Sequence, residues 1–284
     1  MKAQLEKADT NVVVVDGTWH MPMWKRDAKA EHQRCRVKDA VYFDLDEAKD
    51  KSNPLPHMRP PPDQFEAYAS KLGISNDSHV VIYDNNEQFG MFSAARVWWL
   101  FHTMGHQMLS ILDGGLPKWK EAGAVTEEGP FKEPTPTAYK ANPLPGTVRS
   151  FEEMLTNMSS KKELVVDGRA AGRFQGTAPE PNPKIPSGHM VGAVNIPFTQ
   201  FFKPDSHTMK DLDGLREEFK ANGVDLSKPV VAMCASGVTS CWCVFAAHLC
   251  SQEIPLYDGA WTEWQKKAPE EMKTPGVKGE DLSK

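Results

Sequence analysis

Residues 229–250 read Pro-Val-Val-Ala-Met-Cys-Ala-Ser-Gly-Val-Thr-Ser-Cys-Trp-Cys-Val-Phe-Ala-Ala-His-Leu-Cys, and one thiol in that stretch is placed for chemistry. The apolar run Val230 to Met233 stops at Cys234. The small, loop-prone Ala235, Ser236 and Gly237 follow, and a nearly all-apolar stretch of helical length begins near Thr239. This is the pattern of a buried strand, a tight loop and a buried helix. A cysteine at that turn lies among loop N–H groups and faces a helix N-terminus, and both favour an anion. Cys234 is therefore expected to ionise near neutral pH and to act as a nucleophile. The residues alone leave a second reading open, a structural thiol at the end of a buried strand, because free cysteines are among the most buried side chains. Cys241, Cys243 and Cys250 with His248 have the residue types of a metal site. On one helix, however, residues two apart point in different directions, so core packing is the expectation and no metal is assigned.

The elements that would hold Cys234 occur twice. Val12-Val-Val-Val-Asp16-Gly17 reads as a strand running into a turn, and Leu164-Val-Val-Asp167-Gly168 repeats it 151 positions later. Val80-Val-Ile-Tyr-Asp84 is matched by Val230-Val-Ala-Met-Cys234, 150 positions on. In 111–119 and 256–264 an Asp-Gly pair precedes a Trp six positions after the Asp. A repeat this long is a duplicated domain and not a solenoid array. Helical periodicity is expected over 63–73, 93–104 and 210–223, and the first and last of these precede Val-rich strands. Alternating strands and helices imply an α/β fold in each half, a mainly parallel sheet flanked by helices. Active sites in such sheets lie beyond the carboxyl ends of the strands, where Asp84 and Cys234 fall. The division expected is 1–125, a linker over 126–147 rich in Pro and Gly, and 148–284. The first half carries Asp84 and then Asn85-Asn-Glu-Gln-Phe-Gly90, an acidic loop expected to be unable to cradle an anion. The first half is therefore expected to be a scaffold and the second catalytic, with a cleft between.

Composition limits the partners. The 284 residues carry a net charge of −5, with 25% charged and 40% hydrophobic residues, as in an ordinary globular protein. That balance argues against a nucleic-acid partner. No apolar run reaches membrane-spanning length. The stretch Met1–Thr10 has neither an apolar leader core nor an Arg/Ser-rich transit composition, so a cytoplasmic location is expected, with the mitochondrion left open. Five cysteines, four of them within 17 positions, do not form a disulfide framework and point to a reducing compartment.

A two-fold α/β repeat with a Cys-loop-helix only in its second half resembles the two-domain rhodanese-type sulfurtransferases. The resemblance covers roughly residues 10 to 270. It is carried by Cys234-Ala-Ser-Gly-Val-Thr-Ser-Cys241, by 167–181 (Asp-Gly-Arg-Ala-Ala-Gly-Arg-Phe-Gln-Gly-Thr-Ala-Pro-Glu-Pro), by 187–197 (Ser-Gly-His-Met-Val-Gly-Ala-Val-Asn-Ile-Pro) and by Asp258-Gly-Ala-Trp261. Thiosulfate members of the family place Arg and Lys after the cysteine, and mercaptopyruvate members place Gly and Ser. Here Ala235 and Ser236 stand there, neither basic, so the loop looks like the mercaptopyruvate type with Gly replaced by Ala. Phosphatases of a related fold carry an Arg six residues after the cysteine, where this chain has Ser240.

By this resemblance Cys234 takes up sulfur as a persulfide and Ser236, His57 and Asp46 form a proton relay, His57 and Asp46 standing eleven positions apart. Arg173 would bind the carboxylate and keto oxygens of the donor, as a planar fork suits an α-keto acid. A structural ion pair with Glu180 is the competing reading for Arg173. Members that use mercaptopyruvate carry a second Arg nine positions on, where this chain has Asn182, with Lys184 nearby. The loop residues Ala235, Gly237, Val238 and Thr239 complete the expected substrate contacts. In the first half the family's turn is relaxed to Cys35-Arg-Val-Lys-Asp-Ala40. The resemblance implies sulfur transfer from 3-mercaptopyruvate to a thiol acceptor (thioredoxin or a low-molecular-weight thiol), with no cofactor, no nucleic acid, no membrane and a monomeric chain. Two alternatives stay open: a thiosulfate sulfurtransferase, and a non-catalytic module that binds or carries persulfide.

Overall fold

The computed structural model describes residues 11–276. The stretch Met1–Thr10, whose composition bears on targeting, lies outside them. Two compact units are present: of the described residues, those up to 52, 59–144 and 204–209 form the first, and 53–58, 145–203 and those from 210 on form the second. Neither unit follows sequence order. The short segment 53–58 belongs to the second unit and carries His57 with it, and 204–209 belongs to the first. Hydrophobic periodicity cannot foresee such an exchange, because it involves irregular loops.

In the first unit the strands β1 (Val12–Asp16), β2 (Val41–Tyr42), β3 (His79–Tyr83) and β4 (Leu109–Ile111) form a parallel sheet in the order β2-β1-β3-β4. The helices are α1 (Ala28–Arg34), α2 (Leu45–Ala48), α3 (Pro62–Lys71), α4 (Ala94–Thr103) and α5 (Gly115–Glu121). The valine run of β1 suits a strand buried on both faces. Val14, Tyr83, Leu116 and Trp119 share one core, and Trp98 and Trp99 of α4 are buried. Much of the Pro-rich segment that follows is fastened to this unit. Thr126–Glu127 pairs antiparallel with Arg36–Val37, the Thr137 N–H donates to the Ser70 carbonyl at 2.9 Å, and the Asn142 N–H donates to Met104 at 2.8 Å. Prolines bar the segment from helix or central strand, yet the N–H groups of Thr137, Asn142 and Leu144 satisfy carbonyls at the ends of α3 and α4.

The second unit contains β5 (Val148–Arg149), β6 (Leu164–Asp167), β7 (Val194–Asn195), β8 (Val230–Met233) and β9 (Leu256–Tyr257), all parallel, in the order β7-β6-β8-β9-β5. Its helices are α6 (Phe151–Ser160), α7 (Ala171–Phe174), α8 (Leu212–Ala221), α9 (Cys241–Leu249) and α10 (Ala260–Lys267). Val165, Val231, Met233, Trp261 and Trp264 lie in its core. Its central pairing repeats that of the first unit. Asp16 lies opposite Tyr83 on β1 and β3, and Asp167 opposite Met233 on β6 and β8. The N–H of Gly17 donates to Tyr83 and that of Gly168 to Met233, each at 2.8 Å. Asp84 and Cys234 therefore occupy the same place, one residue past the central strand of their own sheet. Among the described residues no helix is long and apolar enough to cross a membrane.

Candidate active site

Cys234 directly follows β8 and is 2% exposed. Seven residues on, α9 begins with Cys241, and the intervening loop curls around the sulfur. Burial alone would push the thiol pKa up. Against it act the hydroxyls of Ser240 and Thr239 and the backbone N–H groups of Ser240 and Ser236, which lie around the sulfur. Together they outweigh burial, and the pKa falls below its ordinary value. The thiolate expected from the loop pattern thus has a specific set of donors. Gly237 supplies a positive φ of 77° in the middle of the loop, its carbonyl accepts the Cys241 thiol at 3.1 Å, and Val238 is buried with its carbonyl on the Cys241 N–H.

The far side of the loop is held by the start of α10. The Trp261 N–H donates to the Cys234 carbonyl at 3.0 Å, and Thr262 gives its N–H (3.0 Å) and hydroxyl (2.7 Å) to the carbonyl of Ala235. The turn that permits this has Ala260 in the left-handed region, at φ 52°. Trp261 is also fixed by its indole N–H, which donates to the Pro186 carbonyl at 2.8 Å. The residues just after Asp258-Gly259 therefore anchor the loop, a role that spacing alone does not disclose.

Ser236 and His57 meet: Nδ1 of the imidazole and Oγ of the serine are 3.2 Å apart. His57 is 7% exposed and has a φ of 58°. Asp46 belongs to the first unit, in the first turn of α2. There its carboxylate accepts the indole N–H of Trp19 at 3.1 Å and pairs with Lys49 at 3.1 Å.

Arg173 lies in α7 and its guanidinium is bound to Glu180, with Nε donating at 3.1 Å and Nη2 also donating to the same oxygen. The other oxygen of Glu180 accepts Nη1 of Arg169 at 2.7 Å. Arg169 is itself fully buried, chelated by Asp167 and set over the Trp261 ring at 4.9 Å. The ion pair with Glu180 is the reading of Arg173 that the structure shows, with Nε and Nη2 both on the carboxylate. Arg169 and Glu180 were not expected as site supports, although Asp-Gly-Arg at a strand end is the signal that could have shown the first. Asn182 and Lys184 are exposed, and the Asn182 side chain accepts the Lys184 N–H at 3.1 Å, closing its own loop.

The cysteines behave as the helical spacing implies. All five are free, and Cys241 and Cys243 are buried within α9 with burial raising the Cys243 pKa. The backbone at the start of α4, beyond the acidic loop 85–90, cradles the chain's own carboxylate. Asp84 Oδ2 accepts the N–H groups of Phe92 (2.7 Å), Ser93 (2.6 Å) and Ala94 (2.7 Å) at the start of α4. Backbone donors at a helix start hold it, as such termini favour anions.

The family model described as "Rhodanese-like domain" matches residues 2–122 and 150–267. Human 3-mercaptopyruvate sulfurtransferase is 40% identical over 272 residues, covering 95% of this chain and 91% of the relative. Chicken thiosulfate sulfurtransferase is 41% identical over 267 residues, covering 93% and 90%. The solved structure of SseA from Escherichia coli, described as a 3-mercaptopyruvate sulfotransferase with the "Rhodanese" fold, superposes with a TM-score of 0.81 at 30% identity, covering 91% of this chain and 95% of that one. With the repeated sheet, the loop around Cys234 and these likenesses together, the chain belongs to the rhodanese-like family and carries its domain twice.

Proposed function

We propose that the protein is a sulfurtransferase that takes sulfur from 3-mercaptopyruvate on Cys234 and hands it to a thiol. The Cys234 thiolate attacks the substrate sulfur. The sulfur–carbon bond breaks, its electron pair stays on carbon as the enolate of pyruvate, and Cys234 becomes a persulfide. The enolate then takes a proton, for which the Ser236–His57 pair, with Asp46 as the third relay member, is the proposed source. An acceptor thiolate attacks the outer sulfur, and the Cys234 thiolate returns. Arg173, held by Glu180, is the proposed anchor for the substrate carboxylate, and the loop from Ala235 to Thr239 lines the sulfur.

The observation that carries the donor choice is the loop itself. It stabilises Cys234 with hydroxyls and N–H groups and places no Lys or Arg at 235, 236 or 240, as a free sulfur-oxyanion donor would require. The near-equal identity to a relative named for thiosulfate, and Asn182 in place of a second arginine, keep thiosulfate as the second reading. Pyruvate release from 3-mercaptopyruvate with a thiol acceptor tests the proposal, with kcat/KM compared against thiosulfate. A preference for mercaptopyruvate, lost in Cys234→Ser, is expected. Turnover surviving in Cys234→Ser would sink the mechanism, and a preference for thiosulfate would overturn the donor.

A further inference from the structure

Ser240 is the residue of the loop for which neither packing nor capping accounts. It precedes α9 at the N-cap position, yet its side chain makes no capping hydrogen bond. It is 0% exposed, and its hydroxyl has no hydrogen-bond partner of good geometry. A buried hydroxyl left this way is unfavourable, and most such groups in folded proteins are satisfied. Its surroundings hold it close. The end of β6 packs against it so tightly that a Cβ at Gly168 would lie 3.3 Å from the Ser240 Cα. The Ser240 hydroxyl and N–H both act on the sulfur of Cys234, favouring its charged form. A neutral thiol is a weak acceptor and does not draw the hydroxyl into a full hydrogen bond. A thiolate is a strong one, and the hydroxyl hydrogen can turn to suit it.

We propose that Ser240 is a catalytic residue whose hydroxyl donates to Cys234 when that sulfur carries negative charge. It acts at two moments: before the reaction, when the free thiolate must be held, and during transfer to the acceptor. In the second, the acceptor thiolate forms a new sulfur–sulfur bond with the outer sulfur, the persulfide bond breaks, and its electron pair returns to Cys234. Ser240 then stabilises the departing thiolate, as a preorganised donor aimed at developing charge. The hydroxyl thus lacks a partner only in the uncharged state, which is not the working one. This inference rests on Cys234 being the sulfur carrier.

The test is the pH dependence of iodoacetamide alkylation at Cys234, followed by peptide mass so that the other cysteines do not contribute. In Ser240→Ala the half-rate pH is expected to rise by about one unit, with the thiolate fraction below that range falling about 10-fold. Ser240→Thr, which keeps the hydroxyl, is expected to restore much of the wild-type profile. Thermal denaturation of Ser240→Ala should show an intact fold, at least as stable as wild type. Superposable alkylation profiles for wild type and Ser240→Ala would overturn the proposal. A separate measurement, the mass gain of one sulfur atom on wild type after exposure to 3-mercaptopyruvate, tests the carrier assignment. Its failure would remove the transfer step while leaving the alkylation result to decide the thiolate contact.

Discussion

His57 has a backbone that few side chains adopt, with φ at 58°. The left-handed region costs a residue with a Cβ about 1–2 kcal/mol, and Asn is among the few that visit it readily. Pro54 and Pro56, which stand just before it, limit the chain on that side. The conformation accompanies an imidazole that is nearly buried and within 3.2 Å of the Ser236 hydroxyl. Backbone strain of this kind concentrates at functional sites, and here it motivates a specific substitution. His57→Asn preserves the φ preference and removes the imidazole. If the imidazole supplies the proton to the pyruvate enolate, kcat should fall by roughly 10²- to 10⁴-fold while the melting temperature changes little. His57→Ala would lose the backbone preference as well, so the two variants compared by steady-state kinetics and calorimetry separate chemistry from fold. A kcat near wild type in His57→Asn would remove the histidine from the proton path.

At the level of elements, the starts of α5 and α10 do the same job in their own units. Leu116 gives its N–H to the carbonyl of Asp84, and Trp261 gives its N–H to the carbonyl of Cys234, each at 3.0 Å. Both turns pass through the left-handed region, at Gly115 (φ 60°) and Ala260 (φ 52°). The two positions nevertheless differ in what they tolerate. A Cβ at Gly115 would lie 2.4 Å from the backbone oxygen of Asp84, whereas the second unit accommodates the methyl of Ala260. Gly115→Ala is therefore expected to destabilise the protein by roughly 2–3 kcal/mol, and Ala260→Gly to leave it within about 1 kcal/mol of wild type, both read from urea denaturation. Equal effects would mean that the two turns tolerate a Cβ alike. This pair also shows how far the sequence was legible. Strands β1, β3, β6 and β8 and helices α3, α4, α8 and α9 are plain in it because long apolar runs and helical periods report burial directly. The Asp-Gly…Trp repeat is visible too, but the backbone contacts that Leu116 and Trp261 make within it are encoded by no side-chain pattern. The same limit hid the role of Ser240, whose hydroxyl matters through its distance to one sulfur, and the membership of 53–58 in the second unit.

Across the whole molecule, duplication lets each unit serve as a control for the other. Asp16 and Asp167 end equivalent strands, but Asp167 is neutralised by Arg169, while Asp16 accepts His32 Nδ1 at 2.8 Å and the Tyr83 hydroxyl at 3.1 Å. At the next strand end the contrast is sharper. One copy places a thiol among hydroxyls and N–H groups, and the other places the Asp84 carboxyl on the three N–H groups that begin α4. Asp84 fills its own cradle, which suits a scaffold and leaves no room there for an outside anion. The arrangement carries a cost that pH can expose. Burial raises the Asp84 pKa to about 6, and the three N–H groups, which favour the charged form, offset it only in part. Its second oxygen is buried with no hydrogen-bond partner. Because the folded pKa lies above the unfolded value near 3.8, the folded state binds the extra proton between the two. The stability that Asp84 contributes is thus present below the unfolded pKa and is lost as pH rises through about 6. Asp84→Asn keeps an oxygen for the three N–H groups and cannot ionise. Its stability relative to wild type should therefore improve by up to about 3 kcal/mol between roughly pH 4 and pH 8, measured by urea denaturation at both. A difference between the two proteins that stays constant with pH would mean that Asp84 keeps its charge at both, with the α4 N–H groups compensating its burial in full.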